Sequence, residues 1–556
     1  MRRLADVARA AASPGSSGAA IALAAIACWS IAPAVAPAAP AASPALASSA
    51  TAASSTSASP ASPASPASPA ASAASAASSA TPASSVPLAD CHVAGIRNGV
   101  LCGTLLRPLD PERPGRVAIP IRYVVVPAMA RRKFADPVFL LAGGPGQSAI
   151  AIAAATMPVF ARLNNRRDIV FVDQRGTGGS APLVCADPEH ESLAEQSDPD
   201  RPYRLALQCK AELLRLPYVR AEADLGLFTT SIAVQDLDAV RRELGAERID
   251  LVGASYGTRV ALEYQRQFPK AVRRSVIDGV APPDMALPAS FSTDNQAALD
   301  AVAAACAVEP ACARDHPDLR ARFAALLQSL PRRVKAAHPL SGRSEEFVLT
   351  RAMLLGAVRN ALYSPALAAA LPEAIDAASR GELAGLIGLS ATFASRKATR
   401  LATGMHLSVV CAEDVPRLVA SGDRPGADFG IEFARFYEKL CSAWPRGAVP
   451  AGFYTVGASA APVLVLSGGL DPATPPRHGE RVVRALGPMA RHVVVANAGH
   501  GVLGIGCVRD AVFRFIDAVD DRDALAVDAG CAAGVPRPPA FRPVASEGDL
   551  APKLAQ

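Results

Sequence analysis

A serine stands between two glycines in the segment Gly253-Ala254-Ser255-Tyr256-Gly257, directly after a short apolar run. That run, residues 249–252, predicts a buried strand, and residues 260–267 further along have a helical pattern. Flanking glycines let the backbone turn sharply from strand to helix without side-chain clashes. The sequence therefore predicts a strand, a strained turn and a helix, with Ser255 projecting above the edge of a sheet.

Several other segments have the same short, apolar character, which is typical of strands buried on both faces. They are residues 138–141, 169–172, 276–277, 463–466 and 492–495. Residues 119–126 predict one more strand, and Pro120 suggests that it lies at an edge. Helical stretches separate several strands; residues 232–244, for example, carry apolar side chains on one face. The alternation predicts an α/β fold with a mostly parallel sheet and helices on both sides.

The alternation stops over residues 285–446, which are rich in Ala and Leu and have few strand signals. Helical patterns there cover residues 295–305, 319–330, 351–362 and 372–380. We interpret this interval as a helical cap inserted into the sheet sequence. The sheet domain is then expected in two parts, residues 88–284 and 447–545, followed by a tail at 546–556.

An acid and a base follow two strands downstream of Ser255. Asp471 comes after the strand at 463–466, and His500 comes after the strand at 492–495. A serine hydroxyl is a poor nucleophile unless a histidine accepts its proton and an acid orients that histidine. Loops at the carboxyl ends of parallel strands meet at one edge of the sheet, where ligands bind. Ser255, Asp471 and His500 are therefore the predicted catalytic residues.

Three other residues are alternatives for the roles of acid and base. Asp278 also follows a strand, but Asp278-Gly279 is more typical of a turn. His478 is expected on the helix after Asp471, and His492 at the start of a strand, where histidines are usually structural.

A tetrahedral intermediate needs N–H donors that are already in place. One predicted donor is the backbone N–H of Tyr256, next to the nucleophile. The other is Gly144, in the loop Ala142-Gly143-Gly144-Pro145-Gly146 after an early strand.

Composition excludes some classes of protein. Half of the residues are apolar, which is enough for a large core, and the net charge is only +6. No run of Lys and Arg concentrates this charge, so we expect no nucleic-acid partner. The sequence has no Cys-x-x-Cys pair and no cluster of His and Cys, so no metal is expected, and no organic cofactor is implied.

The N-terminus predicts export. Arg2, Arg3 and Arg9 precede an apolar stretch near residues 19–27, which is typical of a signal peptide, here placed at 1–36. The stretch is too short for a stable membrane anchor. Ala25-Ile26-Ala27-Cys28 loosely resembles a lipoprotein cleavage box, which leaves a lipid anchor at Cys28 as an alternative to release.

Residues 37–87 consist mostly of Ala, Ser, Thr and Pro and predict a disordered linker.

The cysteines also fit export. Beyond Cys28 there are ten, and they form near neighbours along the chain, which suggests five sequential disulfides. Other connectivities, and buried free thiols, remain open. The suggested pairs are Cys91/Cys102, Cys185/Cys209, Cys306/Cys312, Cys411/Cys441 and Cys507/Cys531.

Several of these segments together resemble the prolyl iminopeptidase and tripeptidyl aminopeptidase group of serine exopeptidases, which have the α/β-hydrolase fold. The resemblance rests on the Gly143–Gly146 loop, the segment Asp173-Gln174-Arg175-Gly176-Thr177-Gly178-Gly179-Ser180 and the serine turn. Cys441-Ser442-Ala443-Trp444-Pro445 and Gly469-Leu470-Asp471-Pro472 are similar to the secreted tripeptidyl aminopeptidase branch. Ala142 departs from the family, which often has His or Pro there. We expect Asp173 and Arg175 to form an ion pair that braces the Gly143–Gly146 loop.

The resemblance implies an exported serine aminopeptidase that cleaves peptides from a free N-terminus through an acyl-enzyme. In the iminopeptidases, acidic residues of the cap bind the substrate ammonium, and Glu413 and Asp414 are the candidates here. A carboxylesterase with the same three catalytic residues is the main alternative. A non-catalytic binding protein is a third, which the complete Ser, Asp and His set disfavours.

Overall fold

The structure, a computed structural model, describes residues 86–186, 191–391 and 401–543. The predicted signal peptide, Cys28, the tail at 546–556 and nearly all of the predicted linker lie outside the described residues. The first strand already begins at Val86, just inside the predicted linker.

Nine of the eleven strands in the described part of the chain form one sheet, in the order β1-β2-β3-β5-β4-β6-β7-β10-β11. The first three strands and β5 pair antiparallel, and the remaining neighbours, from β5 to β11, pair parallel. The strands are β1 Val86–Cys91, β2 Val100–Pro108, β3 Ala118–Val126, β4 Val138–Leu141, β5 Ile169–Val172, β6 Ile249–Ala254, β7 Val272–Asp278, β8 Arg332–Ala337, β9 Ser344–Leu349, β10 Val463–Gly468 and β11 Ala490–Val495. This is the mostly parallel sheet that the sequence predicts.

Helices cover both faces of this sheet and fill the interval between β7 and β10. Those before the interval are α1 Ala153–Phe160, α2 Leu193–Gln196, α3 Arg201–Leu213, α4 Thr230–Glu243 and α5 Tyr256–Gln267. Those within it are α6 Leu287–Val308, α7 Pro310–Asp315, α8 Leu319–Gln328, α9 Arg351–Leu362, α10 Pro365–Ala368, α11 Leu371–Ser379, α12 Ala384–Ala391, α13 Thr403–Val409 and α14 Glu432–Ser442. Those after it are α15 Pro476–Leu486, α16 Gly506–Asp517 and α17 Asp521–Leu525.

The central strands are buried on both faces because successive side chains of a strand point to opposite sides. Leu251 packs into one hydrophobic cluster and its neighbour Val252 into another. Val465 and Leu466 on β10 divide in the same way. This explains why these segments are uninterrupted apolar runs rather than alternating ones.

The inserted interval has a hydrophobic core of its own, which includes Leu299, Phe323, Leu354 and Leu371. It is not entirely helical, because β8 and β9 form an antiparallel hairpin that the sequence analysis did not predict. The apolar alternation is weak because charged Arg332 and Glu345 stand at half-buried positions, while apolar Val348 stands at an exposed one.

The expectation that residues 119–126 form an edge strand is wrong. β3 lies between β2 and β5 in the sheet. Only Tyr123–Val126 of β3 pair with β5. Pro120 lies outside this paired segment, so its missing N–H costs no hydrogen bond to β5.

Five disulfides join the cysteines in the sequential pattern, with Cα–Cα distances between 5.0 and 6.3 Å. Within the described ranges, no helix combines the length and the apolar character that a membrane crossing requires.

Candidate active site

Ser255 occupies the sharp turn between β6 and α5. Its φ of +55° and ψ of −123° are unusual for a residue with a side chain, so the turn is strained. The Ser255 N–H donates a hydrogen bond of 2.8 Å to the carbonyl oxygen of Asp278, at the end of the adjacent strand. The neighbouring strand thus helps to hold the serine above the sheet edge.

The glycines on either side of the turn are required by contacts. A Cβ atom added at Gly253 would lie 2.4 Å from the carbonyl oxygen of Gly257. One added at Gly257 would lie 2.1 Å from the carbonyl oxygen of Leu141. The backbone of the turn therefore packs directly on itself and on β4, as the Gly-x-Ser-x-Gly pattern requires.

Asp471 and His500 form a buried pair on the loops after β10 and β11. The Nδ1 atom of His500 lies 2.8 Å from Oδ2 of Asp471. Asp471 also accepts hydrogen bonds from the backbone N–H groups of Ala473 and Thr474, at 2.8 and 2.9 Å, and from the Thr474 hydroxyl at 2.7 Å. All these donors fix the carboxylate, which in turn orients the imidazole ring.

The pair shifts the pKa of both groups. Burial alone raises the pKa of Asp471, but the charge and hydrogen bond of His500 outweigh it, and the pKa lies below its ordinary value. Burial lowers the pKa of His500, yet the Asp471 charge outweighs this and raises the pKa above its ordinary value. The arrangement therefore stabilises the imidazolium that forms when His500 accepts a proton.

Ser255 and His500 share this edge of the sheet. A Cβ atom added at Gly279, next to the residue that holds the Ser255 N–H, would lie 3.4 Å from Cε1 of His500. The described residues show no hydrogen bond from Ser255 to His500, and none to Nε2 of His500. Nε2 of His500, the second ring nitrogen, is therefore open to accept the serine proton. The missing hydrogen bond does not argue against this role, because catalytic hydrogen bonds often tighten only in the complex with substrate.

The two predicted oxyanion donors flank Ser255. A Cβ atom added at Gly143 would lie 3.3 Å from Cβ of Ser255, so this loop packs against the nucleophile. The N–H of Gly143 is taken by the side chain of Gln147 at 3.3 Å, whereas the N–H of Gly144 has no acceptor among the described residues. Tyr256 begins α5, so its N–H also lacks an intrahelical acceptor.

Asp278, the alternative acid, has a different role. It accepts hydrogen bonds from the backbone N–H groups of Val502 and Leu503, at 2.7 to 3.0 Å. Burial raises its pKa to about 6. Asp278 thus holds the loop that follows His500, while Asp471 contacts the His500 ring itself.

His478 and His492, the alternative histidines, contact groups away from Ser255. His492 lies 3.0 Å from the Ser467 hydroxyl between neighbouring strands. His478 lies on α15, with Nε2 2.9 Å from Asp294. Both positions agree with the structural roles expected for them.

The expected ion pair between Asp173 and Arg175 is wrong. Arg175 is buried and donates instead to Asp236 on α4, at 2.7 and 3.0 Å. Asp173 accepts from the Ser148 hydroxyl at 2.6 Å and from the Gly179 N–H at 2.9 Å. Asp173 therefore still braces the chain just after the Gly143–Gly146 loop, but without an arginine.

Glu413 and Asp414 are both fully buried. Arg259, one helical turn after Ser255, donates to Glu413 at 3.4 Å and to Asp414 at 2.9 and 3.1 Å. Glu413 also accepts from the N–H and hydroxyl of Thr230, and that hydroxyl contacts the Tyr256 phenol at 2.6 Å. Burial raises the pKa of Glu413 to about 7. Their role as ammonium ligands stays a prediction.

A cavity of about 300 Å³ adjoins Gly144. Residues of the inserted helices form most of its wall, including Arg359, Tyr363 and His406, none of which the sequence analysis singled out. The helical pattern of residues 351–362 predicts the helix but not that it lines the cavity beside Gly144. A larger cavity of about 610 Å³, between α6 and residues 537–540, has Leu470 in its wall but none of the predicted catalytic or oxyanion residues, so it is not assigned to the chemistry.

A strained serine turn after a buried strand, an Asp–His pair on later strand-end loops and a mostly parallel sheet define an α/β-hydrolase. Comparison with models of known protein families supports this class. Residues 136–307 match the model for the alpha/beta hydrolase fold, and residues 428–521 match the model for TAP-like protein. The predicted fold and the resemblance to the tripeptidyl aminopeptidase group are confirmed.

Similar proteins include the serine protease Hip1 of Mycobacterium tuberculosis (strain ATCC 25618 / H37Rv), 29% identical over 34% of this chain and 37% of that protein. The tripeptidyl aminopeptidase of Streptomyces lividans is 30% identical over 33% of this chain and 36% of that protein. These matches thus span little more than a third of either relative. Carboxylesterase B of the same mycobacterial strain is 28% identical over 74% of this chain and 83% of that protein. The crystal structure of proline iminopeptidase from Mycobacterium smegmatis gives a TM-score of 0.34 at 17% identity, covering 76% of this chain and all of that one.

Proposed function

We propose that the protein is an exported serine aminopeptidase that cleaves peptides from a free N-terminus. The observation that carries the chemistry is the buried Asp471–His500 pair, 2.8 Å apart, on the sheet edge that also holds Ser255. The five disulfides support export, since such bonds persist in oxidising compartments.

In the proposed reaction, Ser255 Oγ attacks the peptide carbonyl carbon while His500 Nε2 takes the hydroxyl proton. Asp471 holds the ring and stabilises its positive charge. The N–H groups of Gly144 and Tyr256 donate to the oxyanion. The intermediate then expels the amine, which receives the proton from His500 and leaves an acyl ester on Ser255. Water, deprotonated by His500, hydrolyses this ester and restores the enzyme.

The peptide substrate is supported by the TAP-like match and by the peptidase names of two relatives. The buried acids support recognition of an ammonium. Among the described residues, Arg259 is the cation that pairs with both Glu413 and Asp414, so two carboxylates face one cation.

A carboxylesterase is the second candidate, because the relative that aligns over most of its length bears that name. The catalytic groups would be the same, and only the leaving group would differ.

Three substrates distinguish an aminopeptidase from a carboxylesterase: a tripeptidyl p-nitroanilide with a free amine, its N-acetylated form, and p-nitrophenyl butyrate. We expect kcat/KM for the free-amine peptide to exceed that for the acetylated one by at least about tenfold, since a buried charge pair is lost. Ser255→Ala should lower kcat by about 10⁶-fold on every substrate cleaved. Ser329→Ala, an exposed cap serine, serves as the matched control and should leave kcat unchanged.

Ester hydrolysis without cleavage of any free-amine peptide would reject the aminopeptidase and leave the esterase. Equal cleavage of free and acetylated peptides would remove ammonium recognition. Full activity in Ser255→Ala would overturn the catalytic assignment itself.

A further inference from the structure

Arg359 projects from α9 into the cavity beside Gly144, where it is half-buried. Its guanidinium carbon lies 5.2 Å from the ring centroid of Phe433, so the cation rests on an aromatic face. Across residues 86–186, 191–391 and 401–543, no carboxylate lies within ion-pair distance of Arg359 and no acceptor takes its N–H groups. Other half-buried arginines differ: Arg273, for example, donates to Asp250 at 2.7 Å.

The other polar groups of the cavity wall neither pair with Arg359 nor add a charge to the cavity. His406 lies between the Pro145 carbonyl oxygen, at 3.3 Å, and the Tyr437 hydroxyl, at 2.8 Å, so both its nitrogens are engaged. Burial lowers the pKa of His406, which keeps the ring neutral. No described residue that lines this cavity is an aspartate or a glutamate. Among the described residues that line this cavity, Arg359 is therefore the one that carries a fixed charge.

The charge of Arg359 acts on its surroundings. Burial raises the pKa of the Tyr437 phenol to about 12, and the Arg359 charge opposes this rise. The side chains of Phe291, Phe433 and Tyr437 give the wall an aromatic surface around the guanidinium. A ligand that fits both features has an apolar stem and an anionic end.

We infer that this cavity binds a part of the substrate that ends in a carboxylate, with Arg359 as its specificity-determining residue. A guanidinium forms two parallel charge-assisted hydrogen bonds with a carboxylate, which a neutral amide does not match. In a peptide, this carboxylate is either an acidic side chain near the cleaved bond or the C-terminus of a short substrate. The inference rests on the proposed function, since it places a peptide in the site.

The test compares substrates in matched pairs. The ratio of kcat/KM within a pair does not depend on how much of a variant is correctly folded. One pair of free-amine tripeptidyl p-nitroanilides carries Glu or Gln next to the cleaved bond. One pair of tetrapeptides ends in a free carboxylate or an amide. A third pair, the p-nitrophenyl monoester of succinate and p-nitrophenyl butyrate, needs no peptidase activity. The first two pairs distinguish the two sources of the carboxylate.

We expect the charged member of at least one pair to be preferred about 10- to 100-fold, the range that a hydrogen bond to a charged group contributes. Arg359→Met should bring this ratio close to one, mainly through KM, and Arg359→Lys should retain part of it. Arg435→Met removes an exposed arginine from α14, which also carries Phe433 and Tyr437, and should keep the full ratio.

A ratio near one for all three pairs in the unmodified protein would overturn the inference, as would a preference that survives Arg359→Met. If neither peptide pair is cleaved, the proposed aminopeptidase fails. The ester pair then still decides whether Arg359 selects a carboxylate.

Discussion

Two of the buried histidine–aspartate pairs in the described part of the chain have almost the same geometry. His500 contacts Asp471 at 2.8 Å, and His478 contacts Asp294 at 2.9 Å. His500 is 8% exposed and His478 is 1% exposed. Neither distance nor burial therefore distinguishes a catalytic pair from a structural one.

The difference lies in the second nitrogen of each ring. Nδ1 of His478 lies 3.3 Å from the guanidinium of Arg481, which can only donate, so this nitrogen accepts and Nε2 donates to Asp294. Nε2 of His500 has no hydrogen-bond partner among the described residues. A histidine with one nitrogen oriented and the other open can accept a proton, whereas His478 is already saturated.

The carboxylates also differ in their other partners. Asp471 accepts from neutral donors, the backbone N–H groups and hydroxyl of its own loop. Asp294, on the cap helix α6, is also bound by Arg477 of α15. The Asp294 pair therefore joins the inserted helix α6 to α15, whereas His500 is the one ion-pair partner of Asp471 among the described residues.

The largest expected difference between the two pairs is in activity after removal of the acid. Asp471→Asn should lower kcat by about 10⁴-fold, because the amide favours the wrong tautomer of His500. Asp294→Asn should change kcat by less than about tenfold, since it lies in the cap contact. Steady-state kinetics on one substrate measures both, and comparable losses in the two variants would erase the distinction.

The pH dependence sharpens the comparison further. His500 must be neutral to accept the serine proton, and the Asp471 charge raises its pKa above the ordinary value despite burial. We expect kcat/KM to fall about tenfold per pH unit below that pKa. In Asp471→Asn the charge is lost, so the acid limb should move to lower pH by about one unit or more. His478→Asn should leave the limb in place; a shift in that variant instead would contradict the assignment.

The smallest expected effect concerns stability. His478→Asn removes a buried hydrogen bond to Asp294 and should lower the free energy of unfolding by about 1–3 kcal/mol. Its kcat should stay within about threefold of the unmodified protein. Urea denaturation with intact disulfides gives the free energy, and a large loss of kcat in a stably folded variant would show that the pair does take part in the chemistry.

Much of the site follows from local sequence. Ser255, Asp471 and His500 each come directly after an apolar strand, and the loop at Gly144 does so too. In a parallel sheet the carboxyl ends of neighbouring strands meet at one edge, so residues far apart in the chain converge there. The fold class and the candidate catalytic set could be inferred because this convergence depends only on strand order and direction.

Other features depend on contacts between distant segments. The arginine partner of Asp173 was predicted from nearness in sequence, but Arg175 turns toward Asp236 on a different helix. The hairpin of β8 and β9 has a weak alternation, because Arg332 and Glu345 place charges on its more buried face.

The amino-acid sequence by itself determined which residues stand at the ends of the strands and which cysteines are neighbours along the chain. Only the tertiary structure decided that Glu413 and Asp414 pair with Arg259, and that Arg359 faces the cavity beside Gly144. The reason is that helical periodicity gives the apolar face of a cap helix, but not the direction in which that helix lies over the sheet. That direction follows from the packing of α6 against α9 and α14, and α6 and α14 are more than a hundred residues apart in the chain.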